Sequence, residues 1–94
     1  MIKNEYNGWY NFETWSVNLN FEGIFSSMAE EQTWDDVDRL AEAFENIVNE
    51  LEYDVLSVHS FAKDCVGRFL NQVNWVEIAE HYFVETEETV GLEN

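Results

Sequence analysis

The side chains best suited to catalysis or metal binding are few: His59, His81, Cys65, and the carboxylates of Glu77 and Glu80 next to His81. Cys65 lies six residues from His59 on a stretch that reads as apolar helix, which puts the two on different faces and argues against a thiolate-imidazole pair. Cys65 reads instead as a small core hydrophobe. Glu77, Glu80 and His81 stand at i, i+3 and i+4, close enough on one helix to share a metal ion, yet no second ligand cluster accompanies them. A solvated helix face accounts for them better. Glycine-rich phosphate loops, nucleophile elbows and zinc-type cysteine spacings do not occur. The expectation is a protein that is not an enzyme and uses no cofactor or metal.

Acidic residues offer a different chemistry. The 94 residues include 20 Asp and Glu against 4 Lys and Arg, a formal charge of −16. On a helix predicted from Trp34 to about Glu52, the carboxylates Asp35, Asp38, Glu42, Glu45 and Glu52 fall within roughly 100° of arc and span about 25 Å. One DNA strand carries about seven phosphates over a similar length. Such a face could imitate a phosphate track, and Glu77, Glu80, Glu85, Glu87 and Glu88 could extend it. Most charged helix faces do no more than solvate a protein. Here the counter-charge is missing: on this helix only Asp35 with Arg39 offers an i, i+4 pair. Self-repulsion from so many unpaired charges costs stability, so a use for them is expected. A high-salt habitat would supply one, although the wealth of Phe, Trp and Asn does not suit it.

The charge also limits partners. An acidic surface repels nucleic acid and anionic lipid, and Lys3, Arg39, Lys63 and Arg68 are scattered. What it attracts is a basic surface, and the nucleic-acid groove of another protein is the commonest large one.

The elements that must position these groups are legible in the apolar pattern. A hydrophobic fraction of 46% and an aromatic fraction of 16% exclude a disordered acidic tail and allow one compact domain over residues 1–94. Val37, Leu40, Ala41, Phe44, Ile47, Val48 and Leu51 recur at helical spacing, and Thr33 with Asp36 resembles a capping box. A further helix is expected from about Val55 to Gln72, apolar on more than one face and therefore central. Another begins where Asn74 can cap and Glu77 can reach back, turning Trp75, Ile78, Ala79 and Tyr82 inward. The acidic stretch 85–94 is expected to fray.

Residues 11–28 fit two periods. Trp15, Val17, Leu19 and Phe21 alternate with polar residues as a half-buried strand does. Val17, Phe21, Ile24, Phe25 and Met28 fit a helical stripe with Asn11 as its cap. Asn7-Gly8 could close a hairpin between 2–6 and 9–13. The aromatic group Tyr6, Trp9, Tyr10, Phe12 and Trp15 reads mainly as core, with Trp9 and Tyr10 the most exposed. Cys65 alone cannot form an intramolecular disulfide, and the sequence shows no signal peptide or membrane span, which favours the cytoplasm.

The run from Asn7 to Trp15 followed by Val17 and Leu19 resembles the N-G-W-x-N-x-x-T-W opening of a family of small uncharacterised accessory proteins of phages, plasmids and archaeal viruses. Val73 to His81 is similar to that family's V-N-W-x-E-I-A-E-H-like C-terminal segment. Asn20 departs from the pattern, which has an aromatic or apolar residue there. The resemblance tips residues 12–27 toward helix. It carries no activity over residue by residue and implies a setting, that of mobile elements whose acidic proteins block host restriction or CRISPR systems.

The expected fold is therefore mainly α, a domain of three to four helices with a short N-terminal hairpin as an α+β alternative. The expected function is an acidic, nucleic-acid-mimicking inhibitor acting in the host cytoplasm. Its partner would be a basic nucleic-acid-binding protein of the host, with no direct contact to nucleic acid or membrane, and a homodimer would lengthen the track. Trp9, Asn11 and Trp15 would fix the N-terminal segment against the core. The alternative is an interaction or assembly protein that binds through the aromatic N-terminus.

Overall fold

The computed structural model describes residues 5–56 and 60–92, with side chains through Phe83. It is mainly helical. Among the described residues there are four α-helices, α1 (Phe12–Glu31), α2 (Val37–Val48), α3 (Phe61–Leu70) and α4 (Trp75–Leu92), and a π-helical turn, Asn49–Tyr53, continues α2. No described helix is long and apolar enough to cross a membrane.

The ambiguous segment is helix. Asn11 adopts extended backbone and its side-chain oxygen accepts from the N–H of Thr14, which starts α1. Thr14, Val17, Phe25 and Ala29 then form a buried stripe at three-, four- and eight-residue steps. The strand-like alternation has no consequence: Leu19, which a strand would bury beside Val17, is 51% exposed. At its other end α1 lacks basic residues, and the Trp34 indole N–H donates to the Met28 carbonyl at 3.0 Å, satisfying one of the acceptors a helix end leaves open.

Of the N-terminal hairpin, the turn is present, and no strand forms among the described residues. Tyr6 and Trp9 exchange two backbone hydrogen bonds of 2.8 Å across Asn7 and Gly8. Both central residues have positive φ, 51° and 88°, as a type I′ turn requires. Pairing stops at Trp9 because the chain enters α1 three residues later, and residues 2–4 of the expected first strand lie outside the described set.

Two boundaries of α2 differ from expectation. Asp36, not Thr33, is the cap, and its carboxylate accepts from the N–H of Arg39 at 2.9 Å. At the other end the α pattern gives way to a π turn, closed by the Asp54 N–H donating to the Asn49 carbonyl five residues back. That wider turn rotates Leu51 out of the apolar stripe, so Leu40, Ala41, Phe44 and Val48 are buried while Leu51 is exposed.

The centre of the molecule is α4, not the helix expected over 55–72. It packs against both α1 and α2. Phe25 of α1 stacks on Phe44 of α2 with ring centroids 4.2 Å apart, and Tyr82 of α4 meets both rings edge-on. Leu40, Val48, Ile78 and Ala79 close the core around them.

The predicted central helix is shorter and peripheral. Ser60 caps it by accepting from the N–H of Lys63, so Val55 and Leu56 fall in a preceding turn. Only one side of α3 touches the rest: Leu70 is buried, whereas Phe61 is 83% exposed and Cys65 is an exposed free thiol, not the core hydrophobe its setting suggested. Its anchor is Tyr53. The ring lies so close to Gly67 that an added Cβ would stand 3.0 Å from Cε1, and the Lys63 ammonium sits 4.5 Å above the ring centroid. The backbone of α4 is helical to Leu92, through most of the stretch expected to fray, while its side chains beyond Phe83 and residues 93–94 lie outside the described set.

Candidate functional site

A polar junction between the starts of α1 and α4 brings together residues 60 to 67 positions apart. Thr14, fully buried, is its hub. Its hydroxyl donates to the Asn11 side-chain oxygen at 2.5 Å and accepts from the backbone N–H of Asn74 at 2.9 Å. The Asn11 amide donates in turn to the Gln72 carbonyl at 2.7 Å. Asn74 caps α4 as expected, accepting from the Glu77 N–H at 3.1 Å. The Glu77 carboxylate, however, does not reach back to Asn74, whose N–H is already taken by Thr14. It accepts from the backbone N–H of Tyr10 at 2.9 Å and so pins the hairpin turn to α4.

Asn11, Thr14, Asn74 and Glu77 therefore join two helix ends and do not form a reactive centre. No buried polar side-chain atom among the described residues is left without a partner. The signal for this junction was visible in part, because Asn11 and Asn74 both read as caps, but the bond from Thr14 to Asn74 depends on long-range packing.

Around this junction the aromatic residues form two groups. Trp9 is half-buried against the core, 5.5 Å from the His81 ring. Tyr6, Phe12 and Trp15 pack on one another, with Phe12 also meeting Phe69 of α3 edge-on. This second group is a half-exposed layer between α1 and α3 and not the core expected of it: Tyr6 is 39% and Phe12 45% exposed. His59 lies outside the described residues. Among those described, no three His, Cys, Asp or Glu side chains are placed to share a metal.

The acidic stripe is real over part of its predicted length. Asp38, Glu42 and Glu45 are exposed and line one wall of an open cleft between α2 and the start of α4. Tyr10, Trp75 and Val76 contribute to the rest of the lining. Asp35 is exposed but precedes the helix. Lacking helical geometry there, it makes no ion pair with Arg39 among the described residues.

Glu52 leaves the stripe altogether. The π turn carries it into a different, more apolar cleft, with Asn20 and Phe21 of α1 and Val66 and Phe69 of α3. Glu80 and Glu77 border a third hollow with Gly8, Trp9 and His81. The side chains of Glu85, Glu87 and Glu88 lie outside the described set.

What remains on α2 is a row of three carboxylates about 10 Å long, the length over which one DNA strand presents about three phosphates. Charge density is thus matched locally, while the 25 Å track is not formed. Among the described residues none of these three carboxylates has a cationic partner at ion-pair distance. Arg68 is engaged elsewhere: its guanidinium donates to Asp64 at 3.0 Å, and this hydrogen bond, with the attraction between the charges, raises its pKa further above the ordinary value.

No protein-family model matches the sequence, and neither a curated protein nor a solved structure matches it.

Proposed function

We propose that this chain is a non-enzymatic acidic binding protein that covers the basic, nucleic-acid-binding surface of a partner protein. The carrying observation is the exposed row Asp38, Glu42 and Glu45, which has no cationic partner among the described residues in a chain of net charge −16. Carboxylates in that state are attracted to Lys and Arg clusters over a Debye length and exclude nucleic acid from them by competition. The resemblance to accessory proteins of mobile elements supports a host restriction or CRISPR component as the target, met in the host cytoplasm.

The test is capture from host lysate at low salt, followed by the same experiment with Asp38→Asn, Glu42→Gln and Glu45→Gln combined. A captured basic protein should be lost from the triple variant and released between about 50 and about 300 mM salt. Retention by the variant across that range, with its helical circular dichroism intact, would remove the proposal.

A second reading has its own observation. Tyr6, Tyr10 and Phe12 of the N-terminal segment are exposed, and aromatic residues are favoured interface anchors. A partner that survives high salt but is lost with Tyr6→Ser and Phe12→Ser would favour that face.

A further inference from the structure

Charge alone would engage the outward face of α2, yet the acidic row does not stand on a bare helix. It forms one wall of a cleft of about 580 Å³ whose lining also includes Tyr10, Trp75 and Val76. Tyr10 is 58% exposed and Val76 39% exposed, so apolar surface lies open to water in the same cleft as carboxylates that have no cationic partner among the described residues. The aromatic groups are held in place from behind. Tyr10 is pinned through its backbone by Glu77, and Trp75 packs against the core from the first turn of α4. An acidic row in one cleft with Tyr10, Trp75 and Val76, which stand there among the polar Asn71, Gln72 and Asn74, suits an amphipathic cationic ligand.

Resting on the acidic-face reading above, we propose that this cleft is the docking groove for an amphipathic basic helical segment of the partner. Spacing supports that occupant. Asp38, Glu42 and Glu45 follow one another at four and three residues, the steps at which Lys or Arg side chains recur along one face of a second helix. Charge complementarity sets the cationic side of the segment over α2. Its apolar side meets Tyr10, Trp75 and Val76, where Lys and Arg stems can also pack and guanidinium groups can stack on rings. A bare metal ion is a poorer match, since no three ligands converge among the described residues.

Two synthetic helical peptides of about 18 residues serve as probes. Both carry Lys at i, i+4 and i+7, and the neighbouring apolar positions are Leu in one and Ser in the other. The Leu peptide should bind about 10-fold or more tightly than the Ser peptide, given the apolar area it can bury. Amide chemical-shift changes should map to residues 38–45 and 71–76.

Tyr10→Ala combined with Val76→Ser should reduce that preference to about threefold or less, because both side chains are exposed and the backbone bond to Glu77 persists. Equal binding of the two peptides, or an unchanged preference in the double variant, would overturn the groove. If the triple charge variant of α2 still loses both peptides in that case, the acidic-face reading stands without the groove. Full binding by the triple variant would remove both.

Discussion

The backbone N–H of Asn74 donates to the hydroxyl of Thr14 at 2.9 Å, tying the first turn of α4 to the first turn of α1 across 60 residues of chain. Because Thr14 is fully buried, water cannot take over if its hydroxyl is removed. Thr14→Val keeps the shape and leaves the Asn74 N–H unpaired, which should lower stability by about 1–3 kcal/mol. Urea unfolding followed by circular dichroism gives the value. Thr14→Ser, which retains the hydroxyl and loses only a methyl group, should fall nearer the parent.

Asn11 has two separable jobs, capping α1 with its oxygen and bridging to Gln72 with its amide. Asn11→Ser keeps a capping oxygen and removes the bridge, whereas Asn11→Ala removes both. The alanine variant should lose about 1–2 kcal/mol and the serine variant less. The drop in stability from the parent to the serine variant measures the bridge to Gln72, and the further drop to the alanine variant measures the cap.

Gly8 sits at φ 88° in the turn that presents Trp9 and Tyr10. No heavy atom lies near the position of an added Cβ, so Gly8→Ala meets no clash and pays only for its backbone conformation. The expected cost is about 1–2 kcal/mol. Faster amide exchange at Tyr6 and Trp9 should accompany it, since those groups close the turn.

Stability should rise with salt. Sixteen excess negative charges repel one another, and at about 0.15 M salt the Debye length is about 8 Å, short enough to screen most of that repulsion. Melting temperature should therefore increase from low to moderate NaCl. The combined Asp38→Asn, Glu42→Gln and Glu45→Gln variant should be as stable as the parent or more so, with a weaker response to salt. A fall in its melting temperature would show that the acidic row supports the fold.

What could be read ahead of the structure was whatever depends on near neighbours. The α2 stripe through Leu40, Phe44 and Val48, the caps at Asn11 and Asn74, and the Asn7-Gly8 turn each follow from a few consecutive residues. Where local patterns conflict or break, they did not decide the outcome. Leu19 fits a strand and a helix equally by type, and no propensity announces the π turn that displaces Leu51 and Glu52. Cys65 and Phe61 look internal because apolar residues surround them in sequence, yet α3 packs through Val66, Gly67, Phe69 and Leu70 and leaves those two side chains exposed.

The sequence by itself determined that the chain is mainly helical, highly acidic and able to bury a core, because composition, caps and periodicity act over one or two turns. The tertiary structure decided which helix is central, which carboxylates share a face, and that Glu77 holds Tyr10 in place of closing its own helix cap. The Glu77 contact and the tie between α1 and α4 depend on groups 60 or more residues apart meeting within about 3 Å, a hydrogen-bonding distance that no local pattern encodes. The shared carboxylate face depends on where α2 starts and where the π turn breaks it.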